Sequence, residues 1–180
     1  MAPGLIHHYF RTTDDLIAAT FGRLAALEHA ALQERISNLP PCAALATHVS
    51  SHLAVSEGDA RLWMSAWVAA PQRPELAAEV DKWMLAGLEM LADLLNQGKQ
   101  SGDFTIDDGR ASAYRILVLL DGIVVQLSMR AAHYFGDIDP VVWVAVEHEV
   151  GLEPGTLQAL LPAAKRRTRR NAGRRASASR

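Results

Sequence analysis

The chain has 180 residues, enough for one domain with a substantial buried core, and a formal net charge of −2. That mild value hides two opposite parts. Residues 165–180 carry eight of the 18 Lys and Arg, all 20 Asp and Glu precede them, and residues 1–164 therefore stand at −10 against +8 for the tail. The single cysteine, Cys42, excludes an intrachain disulfide and suits a reducing cytosol. No basic stretch leads into an apolar segment at the start, and the longest apolar run, Ile116 to Met129, contains Asp121 and is shorter than the roughly 20 residues of a membrane span. A cytoplasmic protein with no membrane contact is expected.

Helical periodicity dominates, and strand alternation between hairpin turns is missing. Thr12 or Thr13 can cap a first helix that opens on Asp14 and Asp15 and carries Leu16, Ile17, Phe21, Leu24, Leu27 and Leu32 on one stripe. Asn38-Leu-Pro-Pro41 ends it. A second helix is predicted from about Cys42 to Val55, stopping at Glu57-Gly58-Asp59, and a third from Ala60 to Ala70, ending at Pro71. Pro74 suits the first turn of a long fourth helix that reaches about Gln100 and ends at Ser101-Gly102. The fifth follows Asp107-Asp108 and extends to about His133, the sixth spans Pro140 to Val150, and Leu157 to Ala164 adds a short last one. From Lys165 onward the chain is basic and small-polar without apolar periodicity, which predicts a disordered tail able to touch nucleic acid nonspecifically or simply to solubilise.

The opening segment Gly4-Leu-Ile-His-His-Tyr-Phe10, followed by Asp15-Leu-Ile-Ala-Ala-Thr20, resembles the recognition helix and exit of the TetR family of repressors, closest to its BetI-like, choline-responsive group. Trp63-x-x-x-Trp67 and Leu120-Asp-Gly-Ile123 are similar to motifs of the same group. The resemblance implies an all-α, TetR-like regulatory helical bundle. Residues 1–12 would be the C-terminal remnant of a helix-turn-helix domain, 13–164 an effector-binding and dimerisation domain, and 165–180 the tail. It implies a ligand-responsive repressor in which Pro3, Gly4, His7, His8 and Tyr9 face operator DNA, Tyr9 also suiting plain packing of the turn. The helices that support a recognition helix in the family have no counterpart before Met1, Ala2 replaces a hydroxyl, and Thr13 replaces a lysine. Two expectations therefore stand side by side: a repressor whose start is misplaced, or a truncated effector-binding and dimerisation module without sequence-specific DNA binding.

The candidate effector pocket comprises Trp63, Met64, Trp67, Trp83, Met84 and Asp121. Facing tryptophans can hold a cation over their rings, so a small organic, cationic effector fits, although aromatic and Met stripes also simply fill cores. Asp121 lies in an apolar run, either as counter-charge to a cationic ligand or as a structural group capping a helix or pairing with Arg115 or Arg130. Ile116, Leu120, Ile123, Val124 and Leu127, with Val142, Trp143 and Val146, are expected to form a homodimer interface, a pairing that the resemblance supplies. His48 and His52 are spaced for a metal but lack a third ligand in sequence, and Glu147-His-Glu149 reads as a solvated face. No metal, cofactor or enzymatic constellation is predicted.

Overall fold

The computed structural model describes residue 10, residues 12–128 and residues 139–161. Over these the fold is all-α: α1 (Thr13–Ile36), α2 (Pro41–Leu53), α3 (Glu57–Ala69), a 3-10 turn (Ala70–Gln72), α4 (Pro74–Ser101), α5 (Gly109–Ser128), α6 (Asp139–Glu149) and α7 (Thr156–Ala159). Among the described residues no helix is long and apolar enough to cross a membrane. Residues 1–9, 11, 129–138, into which the fifth helix is predicted to run, and 162–180 lie outside them.

Local chemistry sets most boundaries. The Thr12 hydroxyl accepts from Asp15 N–H at 3.0 Å, and the Asp15 carboxylate accepts from Thr12 N–H at 3.0 Å, a reciprocal capping box that starts α1. Pro40 and Pro41 start α2, and Gly102, at φ 82, ends α4 in the left-handed region that glycine adopts without strain. The expected third-helix start is corrected. Glu57-Gly58-Asp59 is the first turn of α3, because Ser56 accepts from Asp59 N–H at 3.1 Å and caps it.

The long α4 packs along α1 on one side and α5 on the other, and it divides the interior into two apolar clusters. The larger gathers Leu45, Val49, Leu91, Leu95, Ile116, Leu120, Val142, Trp143, Val146 and Leu157 from α2, α4, α5, α6 and α7. The smaller joins Ala18, Phe21 and Ala25 of α1 to Ala66 of α3 and Leu76 and Val80 of α4, with Trp63, Trp67 and Trp83 at its edge. The predicted α1 stripe is displaced: Leu24 and Leu27 are exposed, while Ala18, Gly22 and Ala25 face inward. Phe21 and Leu32 of the predicted stripe are buried as expected, and a Cβ on Gly22 would meet the Glu79 carboxylate of α4 at 2.5 Å.

The reading of Glu147-His-Glu149 as a solvated face is also corrected. Glu147 is fully buried, and its two carboxylate oxygens accept from Gly155 N–H and Leu157 N–H, each at 2.8 Å, tying the start of α7 to α6. Glu149 pairs with Arg115 of α5 at 2.7 Å, so only His148 of the three is exposed. Glu147→Ala should cost about 3 kcal/mol, since it strands two buried N–H groups at once. Urea melts at neutral pH read that directly, and a variant as stable as the parent would show that the carboxylate bears no structure.

Candidate effector site and dimer face

Trp63 and Trp67 occupy successive turns of α3, with ring centroids 6.2 Å apart and planes inclined by 56°. Phe21 of α1 meets Trp63 edge-on at 4.9 Å and 81°. The Trp63 indole N–H donates to a Glu28 carboxylate oxygen at 2.9 Å, which fixes the ring to α1 across 35 residues of sequence. Trp83 of α4 is anchored the same way, donating to Glu79 at 3.0 Å. The Trp67 Nε1–H is different: it is buried and has no acceptor among the described residues. An orphaned donor of this kind costs about 1–3 kcal/mol, so its presence calls for an account.

The six predicted pocket residues do not form one box. Trp63 and Trp67 stand together against Phe21. Trp83 is already engaged, with the Lys82 ammonium 5.0 Å from its ring centroid and the His29 ring 5.6 Å away. Met84 projects outward at 44% exposure, and Met64 is half-buried. Asp121 is half-buried on α5 and makes no hydrogen bond or ion pair among the described residues; burial raises its carboxyl from 3.8 to about 6. The expected pairing with Arg115 does not occur, because that guanidinium is committed to Glu149. Arg130 lies outside the described residues.

Sequence spacing missed Glu28, which no local pattern links to Trp63, and passed over Glu79, whose four-residue spacing to Trp83 could have revealed the anchor. It also undervalued His48. This residue is 1% exposed, neither ring nitrogen has a partner, and its ring stacks on His52 at 4.7 Å and 23°. Among the described residues no group of three potential metal ligands forms around them.

The dimer expectation needs the larger correction. Ile116, Leu120, Val142, Trp143 and Val146 are at most 2% exposed and fill the protomer's own core, so they offer no surface to a partner. Ile123 and Val124 are half-buried, and the Leu127 side chain lies outside the described residues. The apolar surface that is open lies on the opposite sides of the same two helices: Tyr114 and Val118 on α5, and Val141 and Val144 on α6. Pro140, Val141, Val144, Ala145 and His148 line a shallow, open, apolar depression there. Pro3, Gly4, His7, His8 and Tyr9, the expected DNA-facing residues, lie outside the described residues.

No curated protein and no solved structure significantly matches the chain. A family model described as BetI-type transcriptional repressor, C-terminal, does match, over residues 42–137. The match covers just over half the chain and contains Trp63, Trp67, Trp83 and Asp121. The all-α fold is consistent with that description, and the chain belongs to the BetI-type transcriptional repressors, regulators of the TetR type.

Proposed function

We propose that the chain is the dimeric, effector-binding body of a ligand-responsive repressor, in which a small organic cation at Trp63 and Trp67 weakens the hold of residues 3–9 on operator DNA. The observation that carries this reading is the 2.9 Å bond between Trp63 and Glu28. It joins the aromatic pair on α3 to α1, the helix that directly follows the segment resembling a recognition helix. A ligand that tilts Trp63 must move or break that bond, and α1 then passes the change to its N-terminal end. The two anchoring carboxylates, Glu28 and Glu79, make the surroundings favourable to a positive ligand. Two copies joined through the open α5 and α6 face would hold two DNA-reading ends at one spacing, which the ligand-bound state alters.

Tetramethylammonium, titrated while tryptophan fluorescence is followed, should give a saturable change. Trp63→Ala should weaken it at least tenfold, on the scale of one desolvated cation–π contact of about 2 kcal/mol. A folded Trp63→Ala variant with the parent's affinity would remove the aromatic pair from the site.

A further inference from the structure

Phosphate contacts supply most of the affinity of a DNA-binding chain, while base contacts sort among sequences. The segment that resembles a recognition helix brings no charge to that task, since residues 1–10 contain no Lys or Arg. The helix that follows it opens on Asp14 and Asp15. Residues 1–164 together stand at −10, and four of their ten cations, Arg73, Lys82, Arg110 and Arg115, are ion-paired with carboxylates of the same body. A duplex approaching this body meets net repulsion.

Residues 165–180 have the reverse character. They hold eight cations, seven of them Arg, and no acidic residue. Their only apolar side chains are alanines, so they offer nothing that could anchor in a bilayer. Arginine presents a planar fork that meets phosphate oxygens two at a time. The root of the segment is fixed, because Leu157 and Leu161 are buried and Glu147 holds the Gly155 and Leu157 N–H groups. Sixteen extended residues span at most about 55 Å, a length of duplex that carries roughly 30 phosphates, so each cation can take a phosphate of its own. We propose that residues 165–180 form a sequence-neutral DNA contact, separate from residues 3–9, in which the arginines neutralise backbone phosphates that the acidic body cannot. The contact goes beyond the effector reading above and needs neither an effector nor an operator. It gives the chain affinity for any duplex and so holds the opening segment close to DNA.

Fluorescence anisotropy of a labelled random-sequence duplex of about 30 base pairs, enough for the roughly 30 phosphates above, tests this when the full chain is titrated at several KCl concentrations. With one tail per duplex and eight phosphates neutralised, the association constant should fall about 10⁴-fold between roughly 50 and 200 mM KCl, a log–log slope near about −7. A full-length variant carrying Arg166→Gln, Arg167→Gln, Arg169→Gln and Arg170→Gln should bind at least about tenfold more weakly at the lowest salt, with a slope shallower by roughly 3 to 4. These positions lie beyond Leu161, the last buried residue described, so helicity and the tetramethylammonium titration should match the parent. Failure of the full chain to bind the duplex at the lowest salt would overturn the proposal, leaving the segment to its own acidic body or to solubility alone. So would a slope that the four substitutions leave unchanged, or tighter attachment to phosphatidylglycerol vesicles than to the duplex. The duplex carries no operator and the assay no effector, so each of these results leaves the aromatic site untouched.

Discussion

If two copies pair through the α5 and α6 face as proposed above, Val144→Asp, introduced alone, should yield a folded monomer. Val144 is 51% exposed on α6 and stands with Val141 above the depression that Pro140, Ala145 and His148 complete. Tyr114 and Val118 are likewise exposed on α5, which packs against α6. Four large apolar side chains open to water on two packed helices are the kind of surface that a partner covers. A two-fold axis sets the same patch against its own copy, so each substitution acts twice. Burying a valine contributes about 1.5 kcal/mol or more, and a buried carboxylate without a partner costs several. The dissociation constant should therefore rise at least a hundredfold, on the order of 3 kcal/mol. Sedimentation would show a species near the monomer mass of 19.6 kDa, with helicity unchanged because the side chain leaves no cavity in the protomer, and with melting that no longer depends on protein concentration. Val142→Asp provides the contrast. That residue is fully buried, so the charge should unfold the protomer instead of separating two folded ones. A Val144→Asp chain that stays dimeric at micromolar concentration would place the interface elsewhere.

This contrast also shows where sequence reading ends. Caps and breakers are local chemistry, so Thr12, Pro40, Pro41, Pro74 and Gly102 revealed their boundaries from neighbours a few residues away. A helix that is apolar almost all round, such as α5, gives no sign of which side its own protomer takes. Ile116 and Leu120 go to the core and Val118 to the surface because α2, α4 and α6 close on one side only. The α1 stripe held at Phe21 and Leu32 and failed at Leu24 and Leu27, where Ala18, Gly22 and Ala25 turn inward toward α4 instead. The motif at Trp63 and Trp67 was legible as a pair. Its anchor Glu28 and the orphaned Trp67 N–H were not, since both depend on what a distant segment does or fails to bring. Buried Glu147 was hidden by its company, an acidic residue beside exposed His148.

His48→Leu should stabilise the fold, by an amount that grows as the pH falls. The imidazole is buried in the protein with both nitrogens unmatched, so leucine of similar bulk removes two stranded polar atoms and gains about 1–2 kcal/mol at pH 7.5. Burial holds the His48 pKa well below its ordinary 6.5, and His52 and His29 nearby push it the same way. The folded state therefore binds fewer protons than the unfolded one once the pH drops below 6.5, and stability is lost at up to about 1.4 kcal/mol per pH unit. At pH 5.0 the advantage of leucine should have widened, by at most about 2 kcal/mol. Two other groups shape the parent's own curve. His52 is lowered by burial, opposed by its bond to the His48 carbonyl at 3.2 Å, so it adds to the loss in acid. Asp121, raised to about 6, acts with the opposite sign: its ionised form costs stability above that pH, and protonation relieves the cost as the pH falls toward 3.8. Both are common to parent and variant, and the His52 bond runs to a backbone oxygen that leucine leaves in place. The difference between the two proteins thus reports His48 together with its coupling to His52. Urea melts at pH 7.5 and 5.0 measure it, and a gap of the same size at both pH values would mean that the His48 ring does not resist its proton.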